Sequence, residues 1–202
     1  MLGAGVDAVH IAHGISRGAH AIACDSGSTD SGPSYLARGV SKMNREAIRR
    51  DLAILMRAAS EARIPLLIGS CGTAGTDSGV DWTAAIAVEV AAELRIQPKI
   101  ALLYSEQSPD TIRRKNAGES VRPLAPLGPM TDAMIDGCSH IVALMGPEPY
   151  MRAVSEGADV VLGGRTTDTA VLAAVPLLRG AAVGPAWHAG KISECGGQCT
   201  LS

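Results

Sequence analysis

Apolar positions along the chain gather into five short runs: Ala19 to Asp25, Ile64 to Ser70, Lys99 to Glu106, His140 to Gly146, and Asp159 to Arg165. Each is apolar at most positions with little alternation, which predicts strands buried on both faces. Between them the period changes to that of a helix. In 44-NREAIRRDLAILMRAASEA-62, Asn44 is placed to cap the start, and Ile48, Leu52, Leu55 and Met56 fall on one stripe. The stretch 80-VDWTAAIAVEVAAELRI-96 reads as a second helix. Weaker helical patterns cover Ala8 to Ser16, Pro109 to Ala117, Thr131 to Gly137, Pro147 to Gly157 and Thr167 to Arg179. Strand and helix alternate, so the expected fold is α/β: a mostly parallel open sheet of five or more strands, with helices on both faces and right-handed crossovers. The Pro-rich interval 121-VRPLAPLGPM-130 reads as a surface connection within one domain spanning 1–202.

Composition sharpens this picture in two places. The 202 residues are 47% hydrophobic but only 2% aromatic, with no Phe, so the core must be built from Ala, Val, Leu and Ile. Charged residues make up 19% with a net charge of −2, which gives no electrostatic reason to expect nucleic acid or an anionic membrane as partner. The longest apolar runs are of strand length, so no membrane span is expected. Five cysteines without framework spacing point to reduced thiols and a cytoplasmic setting.

Polar chemistry is concentrated where the predicted strands end. After the apolar run 19-AHAIAC-24 comes 24-CDSGSTDSGPSY-35, dense in hydroxyls and carboxylates. The other ends read Ser70-Cys-Gly-Thr-Ala-Gly-Thr-Asp, Ser105-Glu-Gln, Met145-Gly-Pro-Glu and Gly163-Gly-Arg-Thr-Thr-Asp. The helix-to-strand loops are blander: Ser16-Arg-Gly, Ala62-Arg, Gly157-Ala. In an open parallel sheet ligands sit beyond the carboxyl ends of the strands, so this asymmetry predicts a ligand site along one edge. The same residue types also cap helices, and Asp77 and Asp168 are each open to that reading.

Arg165 follows a strand and precedes a helix, where a guanidinium can clamp a carboxylate or phosphate; its alternative is an ion pair with Asp168 or Asp25. Asp25 and Asp30 share one loop and can divide acid and base roles, with Glu106 in reserve, or hold a metal, for which the loop offers no His. The substrate-contacting set is completed by Ser26, Gly27, Ser28, Thr29, Ser70, Gly72, Glu148, Asp168 and His188, the amides of the Gly27 and Gly72 turns helping to hold an anion. Glu148 lies between Pro147 and Pro149 at a helix start, and the favoured alternative for it is an acid that simply stabilises that start. In 187-WHAGKISECGGQC-199, His188, Lys191 and Glu194 share one side, and Cys195 and Cys199 lack the second ligand pair that zinc requires, so no metal site is expected. A rival reading comes from 3-GAGVDA-8, which fits a dinucleotide fingerprint with Asp25 as its ribose-binding acid and would make the chain a nucleotide-dependent oxidoreductase.

The segments 25-DSGSTDSGPSYL-36, 81-DW-82, 145-MGPEP-149, 163-GGRTTDTAVLAAVPLLRG-180 and 187-WHAGKISECG-196 together resemble the N-terminal part of the acyclic terpene utilisation (AtuA-like) family. The matching residues are Asp25, Ser28, Thr29, Asp30, Gly32, Asp81, Trp82, Glu148, Arg165, Asp168, His188, Glu194 and Gly196. Ala37-Arg38-Gly39 departs from the glycine- and serine-rich turn that the resemblance leads one to expect. The resemblance implies a longer parent chain, with a strand before the opening glycine turn and a region after Ser202. It also implies a place in the catabolism of branched acyl-CoA esters derived from acyclic terpenes. The expected function is an enzyme, or its substrate-binding part, acting on a carboxylate or acyl-CoA metabolite by hydratase- or lyase-like acid–base chemistry. A CoA ester is then the substrate, a homo-oligomer the expected state, and a non-catalytic subunit of an acyl-CoA carboxylase-type complex the alternative of another class.

Overall fold

The computed structural model describes residues 1–28, 31–194 and 196. Four of the five apolar runs become strands: β1 (Ile22–Asp25), β2 (Leu66–Gly69), β3 (Ile100–Leu103) and β4 (Val160–Gly163). All pair in parallel, in the order β1-β2-β4-β3. The two central strands are buried at every position, as their unbroken apolar sequences require.

The run 140–146 does not enter the ladder, and the expected fifth strand is absent from the described residues. It makes only two isolated bridges, Val142 antiparallel to Glu106 and Met145 parallel to Thr166. A further parallel strand needs a crossover helix packed on the sheet. The helices available before this run are α5 (Pro109–Ala117), which buries no residue, and α6 (Asp132–Asp136), only five residues long, which buries Ile135 alone. The run therefore lies extended across the strand ends, with Ala143 N donating to Ser105 O and Met145 N to Arg165 O.

The other helices are α1 (Ala8–Ser16), α2 (Gly32–Arg38), α3 (Arg45–Ala62), α4 (Asp77–Leu94), α7 (Glu148–Ser155), α8 (Asp168–Leu178) and α9 (Val183–Glu194). Asn44 Oδ1 caps α3 by accepting from Ala47 N at 2.8 Å. Thr76 Oγ1 accepts from Gly79 N at 3.0 Å, which starts α4 three residues ahead of the apolar pattern. α2 occupies part of what the sequence presented as a hydroxyl-rich loop, with Pro33 in its first turn and Gly39 closing it in the left-handed region.

Strand pleating divides the core. Leu66, Ile68, Val160 and Leu162 face Ile48, Leu52, Leu55 and Met56 of α3 and Val80, Ile86 and Val90 of α4. Leu67 and Val161 face the other way, onto Tyr150 and Ala153 of α7 and Val171, Ala174 and Val175 of α8. α4 and α8, which follow the adjacent strands β2 and β4, thus leave for opposite faces. That divergence is a topological switch point, the place where open α/β sheets leave a crevice. Among the described residues no helix is long and apolar enough to cross a membrane.

Candidate functional site

The loops after β2 and β4 meet at the switch point and are stitched together. Ser70 N donates to Gly164 O at 3.0 Å and Cys71 N to Gly163 O at 2.9 Å. Arg165 N reaches Gly75 O at 3.0 Å and Ser105 Oγ at 2.7 Å. Tyr150, fully buried, shares a 2.7 Å hydroxyl contact with Thr166 Oγ1 beneath this junction, and burial raises its phenol above the ordinary range. Burial likewise pushes the Cys71 thiol up to about 12, which makes it a small hydrophobe and removes it as a nucleophile.

The loop after β1 leans on the same junction. A Cβ at Gly27 would lie 2.8 Å from Ser70 Cβ and 2.9 Å from Arg165 Nη1, so glycine is what allows the guanidinium and the serine to close on this backbone. Arg165 is largely buried, its side chain 14% exposed, and its ion pair with Asp168 is long at 3.7 Å. Asp25 is partly buried beside them. Burial raises its carboxyl pKa and the Asp168 charge adds to the rise, while the Gly27 amide and the Arg165 charge oppose it. Thr167, the N-cap residue of α8, makes no capping bond, and its Oγ1 is a buried atom without a partner among the described residues. Asp25, Gly27, Ser70, Arg165 and Asp168 are thus brought together.

The remaining candidates are placed differently. Ser26 is buried and extends the ladder, its amide donating to Gly69 O. Ser28 Oγ contacts Ser31 Oγ at 2.8 Å at the outer edge of the loop. The Ser70 hydroxyl is committed to Thr166, accepting from its amide at 3.2 Å and facing its carbonyl at 3.3 Å. The Gly27 amide, expected to hold an anion, donates instead to Asp25 Oδ1 at 3.0 Å. Gly72 serves packing, since a Cβ there would lie 2.7 Å from the Gly79 Cα in the first turn of α4. Glu148 is exposed at the start of α7 and folds back towards Gly146, and His188 is exposed on α9. Thr29, Asp30, Cys195 and Cys199 lie outside the described residues.

Glu106 is fixed more firmly than its sequence context suggested. Oε2 accepts from Asp77 N at 2.8 Å, while Asp77 Oδ1 accepts from Ser105 N and Glu106 N, each at 3.1 Å. Oε1 lies 2.6 Å from His140 Nδ1, a partner that the reading of 140–146 as a strand concealed. Asp77 therefore does not cap α4 with its side chain; Thr76 does. Asp51 was also missed. It is fully buried on α3 and accepts from Gly3 N at 2.8 Å and Gly5 N at 3.0 Å. The amides of the supposed dinucleotide turn are thereby occupied, and the nucleotide reading loses its anion cradle. The available signal was an acid at position 51 on the stripe of Ile48, Leu52 and Leu55.

Among the described residues no group of three or more His, Cys, Asp or Glu is arranged to hold a metal ion. Hollows lie away from the strand ends: a groove of about 650 Å³ between α1 and α3, and one of about 610 Å³ bounded by β1, α8 and α9. Their linings are mostly aliphatic, so charge and hydrogen-bonding geometry, rather than volume, single out the switch-point cluster. No curated protein and no solved structure matches the chain. The sequence does match the family described as acyclic terpene utilisation family protein AtuA, over residues 37–201. That span contains Ser70, Arg165 and Asp168 of the cluster, together with Glu106, and the chain belongs to the acyclic terpene utilisation family AtuA.

Proposed function

We propose that the chain is an enzyme, or the substrate-binding part of one, that acts on a carboxylate or acyl-CoA metabolite in acyclic terpene catabolism by acid–base chemistry of the hydratase or lyase type. One observation carries the reading. A largely buried guanidinium, Arg165, stands at the switch point of a parallel sheet, held by one long ion pair, beside a carboxyl whose proton affinity burial has raised. Arg165 offers donors in a planar fork to an incoming carboxylate or phosphate, and the N-terminus of α8 adds positive potential from the same side. Asp25, favoured in its protonated form relative to an exposed aspartate, is suited to deliver a proton to a developing anion. Membership of the family supplies the pathway.

Calorimetric titration with branched acyl-CoA esters tests the anchor. The Arg165→Ala variant is expected to bind about 10- to 100-fold more weakly, the effect of removing one partner of a sheltered charge-assisted contact. Equal affinity in wild type and variant would remove Arg165 from the site.

A further inference from the structure

We infer that His140, held by Glu106, is the general base of this site; the inference rests on the acyl-CoA reading above. Both Glu106 oxygens have partners, the Asp77 amide at 2.8 Å and His140 Nδ1 at 2.6 Å. A carboxylate accepts, so in the neutral tautomer that donates to Glu106 from Nδ1 the Nε2 nitrogen carries the lone pair. Among the described residues Nε2 has no protein partner. It faces Gly39, where a Cβ would lie 2.7 Å away, and the left-handed φ of +60° at that residue already favours glycine. The pair is sheltered but reachable, with side chains 25% and 23% exposed for His140 and Glu106.

The mounting also couples the pair to the anion anchor. Ser105, immediately before Glu106, accepts from Arg165 N through Oγ at 2.7 Å, while its own amide donates to Asp77 Oδ1 at 3.1 Å. The contact at Gly39 joins polypeptide leaving the two edge strands: Gly39 closes α2 after β1, and His140 heads the segment that bridges back to Glu106 beyond β3. An imidazole oriented through one nitrogen by a carboxylate, with no protein hydrogen bond at the other, is the arrangement required of a base. In the step assigned here, Nε2 takes a proton from the carbon next to the thioester carbonyl. The C–H electron pair moves into the enolate, and Glu106 balances the imidazolium. Return of the proton to carbon restores both groups. His140 is the catalytic residue and Glu106 the positioning residue.

Deuterium incorporation beside the thioester carbonyl of a branched acyl-CoA, read by mass spectrometry in heavy water, tests the assignment. Wild type is expected to exchange. His140→Gln should exchange at least about 100-fold more slowly with unchanged acyl-CoA affinity. Glu106→Gln should lower the exchange kcat and leave KM in place. A second measurement needs no substrate: carbethoxylation of His140 by diethyl pyrocarbonate should slow several-fold in Glu106→Gln, while exposed His10 reacts as before. Exchange by His140→Gln at the wild-type rate, or a wild type that binds acyl-CoA without exchange, overturns the base. Equal carbethoxylation of His140 with and without Glu106 overturns the dyad even if no acyl-CoA binds. Failure of wild type to bind any acyl-CoA, with the carbethoxylation difference intact, counts against the anion reading alone.

Discussion

Gly27 is tightly packed against two residues of the proposed site, and Gly27→Ala puts that packing to the test. The added methyl would lie 2.8 Å from Ser70 Cβ, 2.9 Å from Arg165 Nη1 and 3.0 Å from Ser70 Oγ. Carbon atoms in good contact stand about 3.5–4.0 Å apart, so relief demands that a neighbour retreat by most of an ångström. The guanidinium, at the end of a long side chain, can swing away. Ser70 cannot: it is fully buried, has a φ of 51°, and its hydroxyl is held by Thr166. Overpacking of this kind costs about 1–3 kcal/mol, and a displaced guanidinium should weaken acyl-CoA binding about tenfold or more, each tenfold being about 1.4 kcal/mol. Guanidinium denaturation followed by the fluorescence of Trp82 and Trp187 supplies the first number and calorimetry the second. In an Arg165→Ala background the stability loss should persist, because the serine carries it. A Gly27→Ala protein with the wild-type denaturation midpoint would show that the loop after β1 does not press on Ser70, and the cluster would come apart.

Two further predictions concern buried carboxylates. The raised Asp25 carboxyl holds its proton more tightly folded than unfolded, so its stabilising share is complete below about pH 4, the ordinary Asp range, and is lost as pH rises through the folded value. Asp25→Asn keeps an oxygen for the Gly27 amide and does not titrate. Its melting temperature should exceed wild type at about pH 8, with the gap closing by about pH 4; a gap independent of pH would refute the cause given for the rise. Asp51→Ala strands the Gly3 and Gly5 amides and should cost about 3–5 kcal/mol in chemical denaturation, whereas Asp51→Asn keeps an acceptor and should cost about 1–2 kcal/mol. Equal losses would mean that the two amides do not depend on this side chain.

What the sequence discloses here follows the range of the interactions involved. Strands β2 and β4 are covered on both faces and announce themselves as unbroken apolar runs, and the stripe of α3 with its Asn44 cap is equally local. Arg165 beside Asp168 is three residues of chain and was readable for that reason. The Glu106–His140 contact spans 34 residues and the Gly3–Asp51 bond 48, and no periodicity encodes either. The run 140–146 misled because its composition suits a strand, while strand formation depended on a crossover that the Pro-rich connection before it does not build. Ser70 and Gly72 show the converse error. Their residue types suit a ligand, yet the loop after β4 consumes the Ser70 hydroxyl and the first turn of α4 requires residue 72 to lack a side chain.

The strand order explains why chemistry gathers where it does. Because β4 inserts between β2 and β3, the loops after β2 and β4 sit side by side while α4 and α8 depart to opposite faces. Backbone bonds from Ser70, Cys71 and Arg165 then fill the centre of the crevice, so its floor is rigid and largely spent. What stays available projects from that floor to either side: the Arg165 guanidinium towards Gly27 and the β1 loop, and the Glu106 carboxylate towards His140 beyond β3. In the proposed function these become an anion anchor and a proton acceptor mounted on one braced junction, which hold a substrate at one end and act on it at the other. Ser105, which touches Arg165 through its hydroxyl and Asp77 through its amide, is the residue through which the two halves keep their spacing.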